Sequence, residues 1–304
     1  MLKTKCPLCD SLDDYTVIYK STFKEEDLNL DVFSARRLPD QIHYQIVRCN
    51  HDGLVRSTPV YDQSRLENLY KRSKFNYAEQ TDNLTVSYLR ALGQVLPSLS
   101  PEARILEIGC GNGFVLSALL AQGYKNVYGL EPSLDATAKA DQRIKNNITT
   151  DVLREGLYPP GSFDLIYFLQ TLDHIQDPLR FMSICYDLLA PHGFILALNH
   201  DVASLSARLL KEKSPIIDIE HPYLYSKDTV SKLFLKTGFS PVKVFSPGTL
   251  VSWKYLLWLL PLPKFIKLSM LNVKNRIGHY ILQRKLWLKL GNLCIIARKE
   301  EKNK

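Results

Sequence analysis

The sequence predicts an α/β fold, a largely parallel β-sheet covered by helices on both faces. Three observations carry that expectation. From residue 103 onward, short apolar runs alternate with longer stretches of helical periodicity, the pattern of repeated β-α-β units. The runs are apolar along most of their length, as strands buried on both faces require. A glycine-rich turn joins the first run to the first helical stretch, where the chain must reverse tightly.

The elements follow in order. Residues 104–108 read as the first strand and 113–122 as the first helix. Residues 127–130 are the next strand, with a helix over 133–145. A strand at 163–169 leads to a helix at 178–189. That helix opens on Asp177-Pro178, an N-cap acid followed by proline at the first helical position, where its missing N–H costs nothing. A strand at 194–198, a helix at 227–237 and a strand at 242–245 continue the pattern, and 293–297 returns as the last strand. Upstream, helical spacing joins Leu66, Leu69 and Tyr70, then Leu84, Tyr88, Leu89, Leu92, Val95 and Leu96, with Pro97 and Pro101 as punctuation. The organisation is therefore an N-terminal segment at 1–60, a helical linker at 61–102 and a main domain at 103–300, with an insert at 248–290.

Composition bounds the function. The chain has 304 residues, 45% hydrophobic and 23% charged, ordinary for a globular protein and incompatible with wholesale disorder. No apolar run approaches the ~20 residues that cross a bilayer; the longest, 255–263, is broken by Pro261. The first thirty residues hold Lys3, Lys5, Cys6 and acidic patches and do not read as a signal peptide. Six cysteines without secretory context suit a reducing compartment, where paired thiols serve metals more often than disulfides. A cytoplasmic location follows as the expectation. The net charge of +8 is uneven: residues 248–304 hold 12 Lys and Arg against 2 Asp and Glu. Such a basic end suits a polyanionic surface, or is simply a solvated face.

The turn reads Glu107-Ile108-Gly109-Cys110-Gly111-Asn112-Gly113-Phe114. Alternate glycines let backbone approach a ligand closely, and the helix start beyond offers unpaired N–H groups. A dinucleotide fold wants G-x-G-x-x-G; here the pattern is E-x-G-x-G-x-G, which disfavours a nicotinamide oxidoreductase. A carboxylate beside the turn repels pyrophosphate and suits a ligand carrying ammonium and sulfonium groups. Glu131 closes the next strand, 24 residues after Glu107, where a carboxylate can accept both hydroxyls of a ribose.

On these residues the sequence resembles the class I S-adenosylmethionine-dependent methyltransferases. The resemblance covers roughly 100–247 and the last strand. Phe163-Asp164-Leu165-Ile166 resembles the family's fourth-strand signature, and Asp173-His174-Ile175-Gln176-Asp177-Pro178 its E-H-hydrophobic-x-D-P segment, with Asp173 replacing Glu. Leu188-Leu189-Ala190-Pro191-His192-Gly193 resembles its L-K-P-G-G turn, with His192 in place of a glycine, and Gly238-Phe239 its later G-F pair. The resemblance implies a Rossmann-like, seven-stranded sheet with an antiparallel last strand, and S-adenosylmethionine at the carboxyl ends of the strands. It implies Glu107, Gly109, Gly111, Gly113, Glu131, Asp151 and Gln170 as cofactor-binding residues. Asp164 reads as a structural cap near the sheet.

Cys6-Pro7-Leu8-Cys9 is a C-x-x-C knuckle, and Cys49-Asn50-His51-Asp52-Gly53-Leu54 follows some forty residues later. Two knuckles at such spacing can supply the four ligands of tetrahedral zinc. The segment resembles the zinc ribbon that precedes bacterial sugar C-methyltransferases, with Asp52 where the last cysteine would stand. Cys6, Cys9 and Cys49 with Asp52 or His51 are the candidate zinc ligands; the rival reading is a ribbon that keeps its fold without metal. Cys110, Cys185 and Cys294 read as small buried hydrophobes.

Acceptors in this fold enter over the loops after the fourth and fifth strands, which brings Gln170, Thr171, Asp173 and His174 opposite Asn199, His200 and Asp201. His221, in Glu220-His221-Pro222, precedes the next helix. Histidine is the natural base for a hydroxyl or acidic carbon, and His174 and His221 rank above His200 as catalytic candidates. The insert combines Trp253, Lys254, Tyr255, Trp258, Lys264, Lys267 and, later, Arg284, Lys285, Trp287 and Lys289. That chemistry suits an anionic headgroup layer or a helical lid with solvated lysines; it is too apolar for phosphate tracking, so nucleic acid is not expected. The expected activity is methyl transfer to a small-molecule or glycan acceptor, extending to a sugar or lipid-linked precursor. The alternative is a non-catalytic cofactor-fold binding protein acting through its ribbon and basic tail.

Overall fold

The computed structural model describes residues 1–27, 41–62, 81–259, 280 and 282–300. The helical pattern at Leu66, Leu69 and Tyr70 and most of the aromatic and lysine-rich insert lie outside these residues.

Three short strands open the chain: β1 (Tyr15–Tyr19), β2 (Ile46–Cys49) and β3 (Val55–Ser57). Helix α1 (Thr81–Leu92) precedes β4 (Arg104–Ile108), α2 (Phe114–Ala121) and β5 (Asn126–Leu130). Then come α3 (Leu134–Ala138), α4 (Gln142–Lys145), β6 (Ile148–Thr149), β7 (Phe163–Leu169), α5 (Pro178–Leu188) and β8 (Leu189–His200). The rest is α6 (Leu205–Leu210), β9 (Tyr223–Leu224), α7 (Lys227–Lys236), β10 (Phe239–Phe245), β11 (Thr249–Ser252), α8 (Trp253–Leu259), β12 (Lys285–Leu288) and β13 (Asn292–Lys299).

Seven strands form the central sheet in the order β10-β13-β8-β7-β4-β5-β6. Neighbours from β8 to β6 run parallel, whereas β13 is antiparallel to both β8 and β10. The expected reversed last strand is therefore present. Alternation along each strand feeds two cores. Leu106, Ile166, Phe168, Ile195, Ala197, Leu293 and Ile295 face one, with α5 and α7 supplying Met182, Cys185, Val230 and Phe234. Ile105, Leu165, Tyr167, Leu196, Cys294 and Ile296 face the other, under Leu92 of α1 and Val115, Leu116 and Leu119 of α2. Burial on both faces explains why these strands read as continuous apolar runs. Asp164 takes its expected cap-like place: the Arg104 backbone N–H donates to its Oδ2 at 2.7 Å.

Two expectations need correction, and the insert gains a detail. The helix at 133–145 is two helices, because Asp141 leaves the helical path to cap α4, accepting from Arg143 N, much as Ser133 caps α3. A capping side chain competes with the interior of a helix. The strand at 194–198 runs from Leu189 to His200, its ends extended by pairing with β7 and β13. The described part of the insert carries α8 and also pairs β11, just before that helix, with β12 in a two-stranded antiparallel sheet; it packs on α1, where Leu250 N donates to Ser87 Oγ at 2.8 Å.

Residues 1–60 carry the four-stranded sheet β1-β2-β3-β9, whose last strand comes from residues 223–224. Cys6, Cys49 and Leu54 belong to the same apolar cluster as the main sheet. The ribbon segment is thus welded to the region just upstream of α7.

Candidate active site

Parallel strands end on the same edge, and ligands of open α/β sheets bind there. The turn after β4 holds Gly109, Gly111 and Gly113 at φ of +78°, +57° and +72°. Two of them are required twice over. A Cβ on Gly109 would stand 2.6 Å from Thr171 Oγ1, and one on Gly113 2.3 Å from Ile144 Cδ1. The turn is consequently held bare between the β7 loop and α4.

Glu131, at the end of β5, clasps this turn. Its Oε2 accepts from Gly111 N at 2.8 Å and its Oε1 from Ser133 N at 2.9 Å. Burial raises its carboxyl pKa, opposed by these two donors. Glu107 is 3% exposed and accepts from Tyr167 Oη at 3.0 Å. Burial holds it well above the ordinary carboxylate range, with the Tyr167 hydrogen bond opposing and the Glu131 charge adding. Glu107 therefore supports the turn from beneath, bound to a tyrosine that sequence spacing did not reveal. Asp151 follows β6; its Oδ1 accepts from Val152 N at 2.8 Å and its Oδ2 pairs with Arg154 at 3.0 Å. Gln170 follows β7 at φ +55° and its Nε2 donates to Asn292 Oδ1 at 3.1 Å. These residues fit a cationic nucleoside: the buried acceptors Gln170 Oε1 and Asn112 Oδ1 have no protein donor, and the turn at Gly109, Gly111 and Gly113 presents bare backbone.

Beyond β7 and β8 lies the acceptor side. Asp173 and His174 sit in the 3₁₀ turn Leu172–His174. Asp173, 1% exposed, accepts from Asn199 Nδ2 at 3.1 Å, and its Oδ2 lies 2.6 Å from His200 Nδ1. The His221 ring is 4.7 Å from that of His174 and 5.0 Å from that of His200. All three histidines thus meet around one carboxylate. Burial would raise the Asp173 pKa; the His200 hydrogen bond and the nearby imidazoles hold it well below the usual range. Burial and the His221 ring push His174 down to about 4. For His221 burial pulls down, but Asp173 and Asp218 outweigh it and its pKa rises. The sequence named each residue of this cluster, but ranked His200 last because its contact with Asp173 is a tertiary event.

The cysteine knuckles also converge. Cys6, Cys9, Cys49 and Asp52 bring ligand atoms within 4.8 Å of one another. Asp52 Oδ2 lies 3.1 Å from Cys6 Sγ and 3.4 Å from Cys49 Sγ, and the Cys9 and Cys49 sulfurs are 3.4 Å apart. Of the two alternatives for the fourth place, Asp52 faces the thiols, whereas His51 turns out to Asp14 at 2.8 Å. A three-sulfur, one-oxygen set fits zinc by the softness of its donors.

Fold and site together define an S-adenosylmethionine-type α/β architecture. Residues 77–244 match the family model described as "Methyltransferase domain". The chain belongs to this family, within the class I S-adenosylmethionine-dependent methyltransferases. A ubiquinone biosynthesis O-methyltransferase of Xanthomonas campestris is 31% identical over 118 residues, covering 35% of this chain and 47% of that protein. The chain thus spans about half the length of such curated relatives. An uncharacterized methyltransferase of Geobacillus kaustophilus is 28% identical over 188 residues, 56% of this chain and 84% of that one. Among solved structures, a complex of the Haloferax volcanii Trm112 methyltransferase activator with a methyltransferase aligns at TM-score 0.52 and 14% identity, covering 74% of this chain and 93% of that chain. That likeness concerns the fold alone.

Proposed function

We propose that the chain transfers the methyl group of S-adenosylmethionine to a small-molecule acceptor. The carrying observation is the Gly109–Gly113 turn pinned to the Glu131 carboxylate, beside acceptor oxygens that lack protein donors. In this reading Glu131 holds the ribose, Gly109, Gly111 and Gly113 admit the nucleoside, and Asp151 and Gln170 flank it. Glu107 supports the turn from beneath through Tyr167, and a cationic ligand bound above it would favour its ionised form. The bound cofactor would supply an electrophilic methyl on a positively charged sulfur; the protein's task is alignment and exclusion of water. His174 and His221 are the acceptor-side catalytic groups. The names of relatives in ubiquinone biosynthesis support a small-molecule acceptor; a glycan, a sugar or its lipid-linked precursor is the finer reading, drawn from the ribbon's resemblance.

Cys6, Cys9, Cys49 and Asp52 hold a structural zinc ion in this proposal, and metal analysis near one zinc per chain is the expected result. Among the described residues no helix is long and apolar enough to cross a membrane. Trp253, Tyr280 and Trp287 are 44%, 59% and 41% exposed, beside a strongly basic end, which supports peripheral contact of a cytoplasmic protein with an anionic membrane. The deciding experiment incubates the chain with methyl-labelled S-adenosylmethionine and host lysate separated into protein, glycan, lipid and small-molecule fractions. Label in a small-molecule, glycan or lipid fraction is expected; label in none, with no calorimetric binding of the cofactor, overturns the reading.

A further inference from the structure

The acceptor side holds a donor set that methyl transfer by itself does not call for. Asp173 comes from the turn after β7, His200 from the end of β8, and His221 from the segment before β9. Three parts of the chain thus bring one carboxylate and two imidazoles to a common point, each offering a ligand atom within 4.8 Å of the others. Two of these side chains are also steered from behind. Asn199 Nδ2 donates to Asp173 Oδ1. His221 Nδ1 stands 2.9 Å from the carbonyl oxygen of Ile216, a contact that orients the ring and leaves Nε2 facing away from that carbonyl. Backbone-anchored imidazole and amide-anchored carboxylate are the outer-shell arrangement of metal-binding side chains. Asp173 and His221 are 1% and 7% exposed, whereas His200 is the open member.

A base needs one histidine with one carboxylate behind it. The Asp173–His200 contact would suffice for that, and a second imidazole, His221, beside the same carboxylate exceeds it. We propose that Asp173, His200 and His221 bind a divalent transition-metal cation, at a site separate from the cysteine knuckles and facing the acceptor. The donor set of two imidazoles and one carboxylate selects Mn²⁺, Fe²⁺, Co²⁺ or Zn²⁺ over the alkaline-earth ions, which prefer oxygen alone. Three protein ligands leave coordination positions for acceptor oxygens, and a hydroxyl bound there loses its proton more readily. His221 then acts on the acceptor by holding the cation. The site does not depend on cofactor binding, so it stands or falls apart from the proposed function.

Mn²⁺ is the probe of choice because thiolates bind it poorly and the cysteine cluster stays silent. The full chain, as purified, is titrated with Mn²⁺ while the free ion is followed by electron paramagnetic resonance. Binding of one Mn²⁺ per chain is expected, weakened at least tenfold by His200→Ala and by His221→Ala and unchanged by Cys9→Ser. Should the histidine variants fail to fold, the wild-type chain decides. Bound Mn²⁺ must broaden the ring resonances of His200 and His221 while sparing the exposed His51. Absence of Mn²⁺ binding, equal affinity in both folded histidine variants, or broadening that spares His200 and His221 overturns the proposal.

Discussion

Glu131 meets two backbone donors before any ligand arrives, Gly111 N and Ser133 N. Its role is therefore double, shaping the turn and accepting from a ribose. Charge-assisted hydrogen bonds are worth about 1.5–3 kcal/mol each, so Glu131→Ala should weaken S-adenosylmethionine binding at least tenfold by calorimetry, and Glu131→Gln by less. Unchanged affinity in both would remove this residue from the site. Gly113 tests packing against conformation. Alanine there incurs the left-handed penalty of about 1–2 kcal/mol and a collision with Ile144 costing about 1–3 more. Gly156 has a similar φ of +76° with nothing within 4 Å of an added Cβ. Gly156→Ala should thus cost clearly less than Gly113→Ala in denaturant midpoint, and equal losses would mean that Ile144 moves aside freely.

Helix α5 begins where its first residues say it must: Asp177 accepts from Arg180 N at 3.1 Å and Pro178 holds the first helical position. Asp177→Ala should cost about 1 kcal/mol of stability without altering cofactor affinity, read by chemical denaturation. Capping was legible because it is local. The break between α3 and α4 was less so, since Ala136, Ala140 and Ile144 keep helical spacing across it while Asp141 stops the backbone. His192 stands at φ +60°, where the family pattern has glycine: the opening of β8 keeps this conformation although the residue that eases it has changed. The length of β8 was hidden for another reason, that pairing partners on both sides extend a strand beyond its own apolar run.

Across the whole molecule, protonation and surface charge set the conditions. Burial lifts the Glu107 carboxyl well above the value near 4.3 of an exposed glutamate. The folded chain therefore keeps a proton that the unfolded chain releases. This group's contribution is intact at acid pH and shrinks as pH rises from about 4.3 toward the folded value. Glu107→Gln removes that slope, so without cofactor its melting temperature should gain on the wild type as pH rises above about 4.3. A constant difference would mean that Glu107 is ionised throughout. The exposed Trp253, Tyr280 and Trp287 and the basic end predict flotation with anionic liposomes that fades as salt screens the charges; a chain that stays at the bottom at low salt has no such affinity.

By itself the sequence determined what short-range physics decides: strands that must be apolar on both faces, caps at helix starts, glycines where no Cβ fits, and the order Glu107, Gly109–Gly113, Glu131. Tertiary structure alone decided which long-range partners meet. Tyr167 satisfies Glu107, Asp52 rather than His51 turns to the cysteines, β9 completes the ribbon's sheet, and His200 joins Asp173 and His221. Each of these is a contact between residues far apart in the chain, whose distance is set by the packing of the sheet and not by any spacing along it.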